Sequence, residues 1–185
     1  MRLVLAALCA TTLAAGDAVG RTIEGHAYPA SASAAGLAGP LALVGVGDAD
    51  WGLWDIHTAA LYLPPGTPRA RALAATSAML VIRYQRDLAA KDFRAATAKT
   101  FGAGLSSAST AGFADALARW NALYIDRADG REYRILRIPG RGAVLAVEDR
   151  ELGAVGDDAF AQALLAIWLG TEPVDRGLRR QLLER

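Results

Sequence analysis

LALVGVGDADWGLWDIHTAALYL, residues Leu41 to Leu63, decides the fold class. Leu41–Gly47 and Leu53–Leu63 are apolar runs rich in Leu, Val, Ile, Trp and Tyr. Both are bounded by turn-forming residues, which is the signature of two strands joined by a short connection. Asp48–Gly52 is the expected turn, and Pro64, Pro65 and Gly66 stop the second run, because proline cannot donate to a strand ladder. Gly45 and Gly47 sit inside the first strand. No GxGxxG or GxxxxGK follows them, so they read as a bulge or a close backbone approach rather than a phosphate cradle.

Downstream, Thr67 is expected to cap a short helix from Pro68 to about Thr76, and Met79–Gln85 reads as a strand. Phe93, Ala96 and Phe101 recur at helical spacing between Ala89 and Phe101, with Gly102 and Gly104 as stops. A further helix is expected from a Thr110 cap, because Phe113, Ala116, Leu117, Trp120 and Tyr124 form one stripe. Arg131–Ile138 and Ala143–Glu148 bracket Pro139–Gly142 as a hairpin, with another strand at Glu151–Val155. Helices at Asp158–Leu169 and through Leu178, Leu182 and Leu183 close the chain. Strands meet strands and helices are grouped between them, which predicts an α+β fold: an antiparallel sheet with helices packed against one face.

Composition narrows the function. The chain has 185 residues, 53% of them hydrophobic, enough for one domain with a well-covered core. Its 20 basic and 19 acidic residues give a formal charge of +1, so the footprint of a nucleic-acid binder is missing and no such partner is expected. Met1 and Arg2 precede an apolar run from Leu3 to Ala15, followed by the small residues Gly16, Ala18 and Gly20. This predicts a secretory leader over residues 1–18 and a mature domain over 19–185, periplasmic or secreted. Cys9, the single cysteine, falls inside the leader. The mature chain therefore offers no disulfide, thiol nucleophile or thiolate metal site. His26 and His57 are the imidazoles, in neither HxH nor HExxH spacing, so no metal and no cofactor is expected. Asp48 and Asp50 do not complete a calcium loop, and Ser106 and Ser107 lack a GxSxG setting.

Three stretches together resemble the bacterial chalcone isomerase-like family: Gly45 and Gly47 followed by HTAALYLP (His57–Pro64); Arg86, Asp87 and Leu88 leading into the helix of Phe93; and Ile167-Trp168-Leu169-Gly170 with Pro173, Val174 and Asp175. Trp120, Asn121 and Ala122 match a further family-like position, and the resemblance spans roughly Leu41 to Leu183. It implies an open-faced sandwich, a curved antiparallel sheet under a layer of helices with a ligand cleft between them. Plant enzymes of this superfamily close a flavanone ring, and non-catalytic relatives bind fatty acids in the same cleft. The resemblance puts Ala49 where the enzymes carry an arginine, His57 at the place of a threonine, and Ile167 at a polar position. Asp92 or Phe93 falls at the place of a tyrosine, and Lys99 or Thr100 at that of an asparagine.

Ring closure needs a cation where phenolate and enolate charge develops, so the loss of that arginine argues for binding over catalysis. The expected ligand is small and apolar or amphipathic, a fatty acid or similar lipid. Its expected contacts are His57, Arg83, Arg86, Phe93, Lys99, Ile167 and Trp168. The alternatives are an isomerase or intramolecular lyase with an altered site, in which His57 is the acid or base, and an interaction module whose cleft has collapsed. Arg86 and Asp87 also read as a pair closing the helix start.

Overall fold

The computed structural model describes residues 20–51, 54–126 and 131–184; the expected leader lies outside them. Seven strands form one antiparallel sheet in the order β3-β4-β5-β6-β7-β8-β9: β3 (Ser31–Ala32), β4 (Leu41–Trp51), β5 (Trp54–Leu63), β6 (Ala78–Tyr84), β7 (Glu132–Ile138), β8 (Gly142–Val147) and β9 (Arg150–Val155). A separate two-stranded ribbon pairs β1 (Arg21–Ile23) with β2 (His26–Tyr28). The helices are α1 (Ala90–Thr100), α2 (Ser107–Gly112), α3 (Ala114–Leu123), α4 (Asp158–Leu169) and α5 (Arg176–Glu184).

Several local expectations need correcting. Asp48 to Trp51 continue β4 instead of turning, because Asp48 pairs with Thr58 and Ala49 with His57 across the hairpin. The segment after Pro68 is a 3₁₀ helix, Arg69–Ala74, with no side-chain cap from Thr67. The helix expected from a Thr110 cap is divided: Ser106 caps α2, its hydroxyl accepting from the Ser109 N–H at 3.1 Å with Thr110 inside that helix, and α3, which carries most of the Phe113–Tyr124 stripe, starts after Phe113 with no side-chain cap. At α1 the first turn is closed by Asp92, which accepts from the Ala89 N–H at 3.1 Å, and by Asp126, which accepts from the Ala90 N–H at 2.8 Å.

Alternation along the strands sends Ala59, Leu61, Leu80, Ile82, Tyr133, Ile135 and Leu145 to the helical layer, where Trp120, Phe160, Leu164 and Leu182 complete the main core. The opposite face carries a smaller core of Ala60, Tyr62, Met79, Val81, Leu136 and Val144, packed under Tyr28 and Leu37 of the N-terminal segment. The strands are therefore apolar on both sides, which is why β6 reads AMLVIRY without a polar alternation.

Gly45 and Gly47 set the position of the last helix. A Cβ on Gly45 would overlap the Leu182 carbonyl oxygen, and one on Gly47 would lie 2.7 Å from the Gln181 Cβ. Their hydrogen atoms let α5 rest on the β4 backbone. A register shift follows between Leu43 and Gly45, so both readings of the glycine pair, bulge and close approach, describe this strand. Gln181 then fixes the contact: its amide donates to the Asp48 carbonyl and accepts from the Asp48 N–H, both at 3.3 Å.

Candidate functional site

Where the helical layer lifts from the sheet it leaves a cleft of about 360 Å³, within the range of about 300–1,000 Å³ typical of small-molecule sites. The sheet supplies its floor. Ala49 faces His57 across β4 and β5, and His57 faces Tyr84 across β5 and β6, so three strands present one row; Tyr133 and Ile135 of β7 extend it. Helix α1 forms one wall through Asp92, Phe93, Ala96, Thr97, Lys99 and Thr100, a stripe at helical spacing. Ile167 and Trp168, at the end of α4, form the other wall with Val174 and Asp175 of the following connection.

Aromatic packing makes the inner wall stiff. Phe93 stacks on Tyr124 at 5.4 Å and meets the edges of Tyr84 at 5.0 Å and Tyr133 at 4.9 Å. Buried hydroxyls are satisfied: Tyr124 accepts from the Trp120 indole N–H at 2.9 Å and bonds the Thr97 hydroxyl at 2.9 Å. Tyr133 donates to the Ile125 carbonyl at 2.6 Å and accepts from the Ile125 N–H at 3.0 Å, clamping the chain that leaves α3.

His57 is the exception. Both ring nitrogens are shut off from water, and neither has a hydrogen-bond partner. Burial penalises the imidazolium and lowers its pKa to about 4, against a smaller opposing pull from the Asp175 carboxylate. Burial likewise raises the Tyr84 phenol well above the ordinary range, with Tyr124 and Tyr133 adding to the effect. At neutral pH the row Ala49–His57–Tyr84 is thus uncharged. Charge sits at the margin: Arg86, Asp92 and Lys99 are exposed and Asp175 is half-buried. Asp175 is also tied down as the start of α5, accepting from the Leu178 N–H at 2.7 Å.

Six of the seven residues singled out from the sequence, His57, Arg86, Phe93, Lys99, Ile167 and Trp168, line this one cleft. Arg83 does not. It lies between Ile82 and Tyr84, so strand alternation points it to the opposite face of the sheet. There it pairs with Glu132 at 2.9 Å and lies over the Tyr28 ring, 5.4 Å from the centroid. Glu132 also holds Arg134 at 2.7 Å, making a structural triad. Sequence reasoning missed Tyr84, Tyr133 and Thr97 as cleft residues. The usable signal for Tyr84 is its placement two residues before Arg86 on a strand that pairs with the one carrying His57. Among the described residues no group of three or more His, Cys, Asp or Glu side chains is placed to hold a metal ion.

A curled seven-stranded antiparallel sheet under a helical layer, with an apolar cleft between the two, defines an α+β ligand-cleft fold. Residues 20–184 match the chalcone isomerase-like family, and the chain belongs to that family. No curated protein sequence matches it. Among solved structures it is similar in fold to a fatty-acid binding protein of Arabidopsis thaliana. The TM-score is 0.67 at 18% identity, over 86% of this chain and 92% of that one.

Proposed function

We propose that this protein is a non-catalytic carrier or sensor that binds an amphipathic small molecule, a fatty acid or similar lipid, in the cleft between sheet and helices. The observation that carries the reading is the uncharged row Ala49–His57–Tyr84 on the floor of an otherwise apolar cleft. Ring closure on a phenolate needs a fixed positive charge or strong donors where the enolate oxygen develops. At that row Ala49 offers a methyl group, His57 is neutral and Tyr84 keeps its proton. An alkyl chain needs none of this. Each buried methylene contributes about 0.8 kcal/mol, so about ten of them supply about 8 kcal/mol before the cost of association. The fold likeness to a fatty-acid binding protein supports the same reading, and the open cleft is what a collapsed interaction module would lack.

Export belongs to the proposal. The family match begins at residue 20, just beyond the leader expected over residues 1–18. Native mass spectrometry of the full-length gene product, purified without detergent from the cells that make it, tests both parts. The expected result is a chain lacking its first 16 or 18 residues and carrying a chain-like ligand of a few hundred daltons. A ligand-free protein that also fails to take up decanoate, or one that turns over chalcones in progress curves, overturns the reading.

A further inference from the structure

The two ends of the cleft offer a ligand opposite chemistry, and this decides which way round a fatty acid lies, an inference that rests on the lipid-binding reading above. The inner end is mostly carbon. Ala49, Phe93, Tyr133 and Ile135 are buried there, and both His57 nitrogens are closed to water, so neither is within a ligand's reach. Among the described residues the cations lining the cleft are Arg86 and Lys99, and both are exposed at its mouth. A carboxylate taken to the floor would exchange its water for hydrocarbon and a single phenol, that of Tyr84, with no cation to pair with. It would also enter the negative potential that Asp175 exerts at His57.

At the mouth the balance reverses. Arg86 makes no ion pair among the described residues. Two carboxylates share the rim, but each is engaged by the start of a helix: Asp92 accepts from the Ala89 N–H at 3.1 Å at α1, and Asp175 from the Leu178 N–H at 2.7 Å at α5. The positive end of each helix dipole offsets their charge, whereas the charge of Arg86 is left for an anion from outside. Its guanidinium is a planar fork of N–H donors that matches a carboxylate, and at the mouth both groups keep part of their water. An alkyl chain gains most where water is most completely excluded, which is the floor.

We infer that the ligand lies with its alkyl end on the floor beside Ala49 and its carboxylate at the mouth against Arg86, so that the cleft excludes chains carrying a second charge at the far end.

Calorimetric titration of the delipidated protein at pH 7 with decanoate, decanedioate and 1-decanol tests this orientation. Decanedioate has the length of decanoate and a second carboxylate in place of the terminal methyl. To lie on the floor that group must be buried as its acid, at a pH about 2.5 units above an ordinary carboxyl pKa, so decanedioate should bind the wild type at least about a hundredfold more weakly than decanoate. In Arg86→Gln the affinity for decanoate should fall about fivefold, and the fall should shrink as salt is raised, whereas that for 1-decanol should stay within about twofold of wild type. The decanedioate comparison needs no variant and stands even if Arg86→Gln fails to fold. Decanedioate that binds within about tenfold of decanoate, or decanoate affinity unchanged in folded Arg86→Gln, overturns the inference and leaves lipid binding standing. If neither decanoate nor 1-decanol binds the wild type, the lipid-binding reading itself falls, and the inference with it.

Discussion

Acidification is the sharpest test of how His57 is held. The native imidazole has its pKa lowered from 6.5 to about 4, while in the unfolded chain it titrates near the ordinary value. Between those values the unfolded state binds the extra proton and the native state does not, so stability rises with pH across the window and is lost as pH falls through it. At about 1.36 kcal/mol per pH unit the full loss is about 3 kcal/mol, reached below pH ~4, and about 2 kcal/mol of it has gone by pH ~5. Urea unfolding of the delipidated protein, followed by tryptophan fluorescence at pH 7 and pH 5, gives the total change. Carboxylates titrate too, so the informative quantity is the difference between wild type and His57→Gln, which removes the titrating ring alone. Wild type should lose about 2 kcal/mol more than the variant between the two pH values. Equal losses, or an imidazole whose NMR shifts titrate near 6.5 in the folded protein, would refute the claim that burial without a partner keeps this ring neutral.

Two further substitutions probe the frame around it. Gly45→Ala should lower stability by about 3 kcal/mol, read as a drop in Tm, because the added methyl group strikes the backbone carbonyl of Leu182 rather than a side chain that can swing away. Gly47→Ala should cost less, since its neighbours are the side chains of Gln181 and Leu178. Ala49→Arg should return a guanidinium to the floor and raise decanoate affinity about tenfold by calorimetry, as charge-assisted pairing predicts; unchanged affinity would mean that position 49 does not reach the ligand.

The parts of the fold that rest on local patterns were legible in the sequence. The hairpin around Pro139–Gly142 and the helix Asp158–Leu169 announce themselves through turn chemistry and periodicity, and both occur where expected. Asp48–Trp51 misleads because polar turn formers there are overruled by pairing with β5, a non-local contact that propensity does not contain. Thr110 fails as a cap because it lies inside α2, its hydroxyl donating back to the Ser106 carbonyl, and the stripe-bearing helix starts after Phe113 without a side-chain cap. In the site, Phe93 is visible from the helical spacing of α1, while Lys99 is named only through the family resemblance. Arg83 could not be placed, since β6 is apolar on both faces and nothing in AMLVIRY says which parity meets the helices. Only the pairing of Tyr84 with His57 settles it, sending the arginine to Glu132 and the tyrosine to the cleft.

That parity also separates carriage from chemistry. One residue further along β6, at the place of Tyr84, the Arg83 guanidinium would have stood opposite His57, and the cleft would then hold a cation at its floor. Instead the guanidinium is held on the far face by Glu132 and the Tyr28 ring, and Glu132 is committed on its other side to Arg134. The carboxylates that border the cleft are committed to local structure: Asp92 closes the start of α1 and Asp175 that of α5. The result is a graded electrostatic environment, neutral where the ligand is deepest and charged only where water can reach. Such a gradient suits a molecule with a greasy body, an uncharged inner end and an anionic outer end within reach of Arg86. It opposes any reaction that must develop negative charge at the floor, because the charge acting on His57, that of Asp175, has the wrong sign.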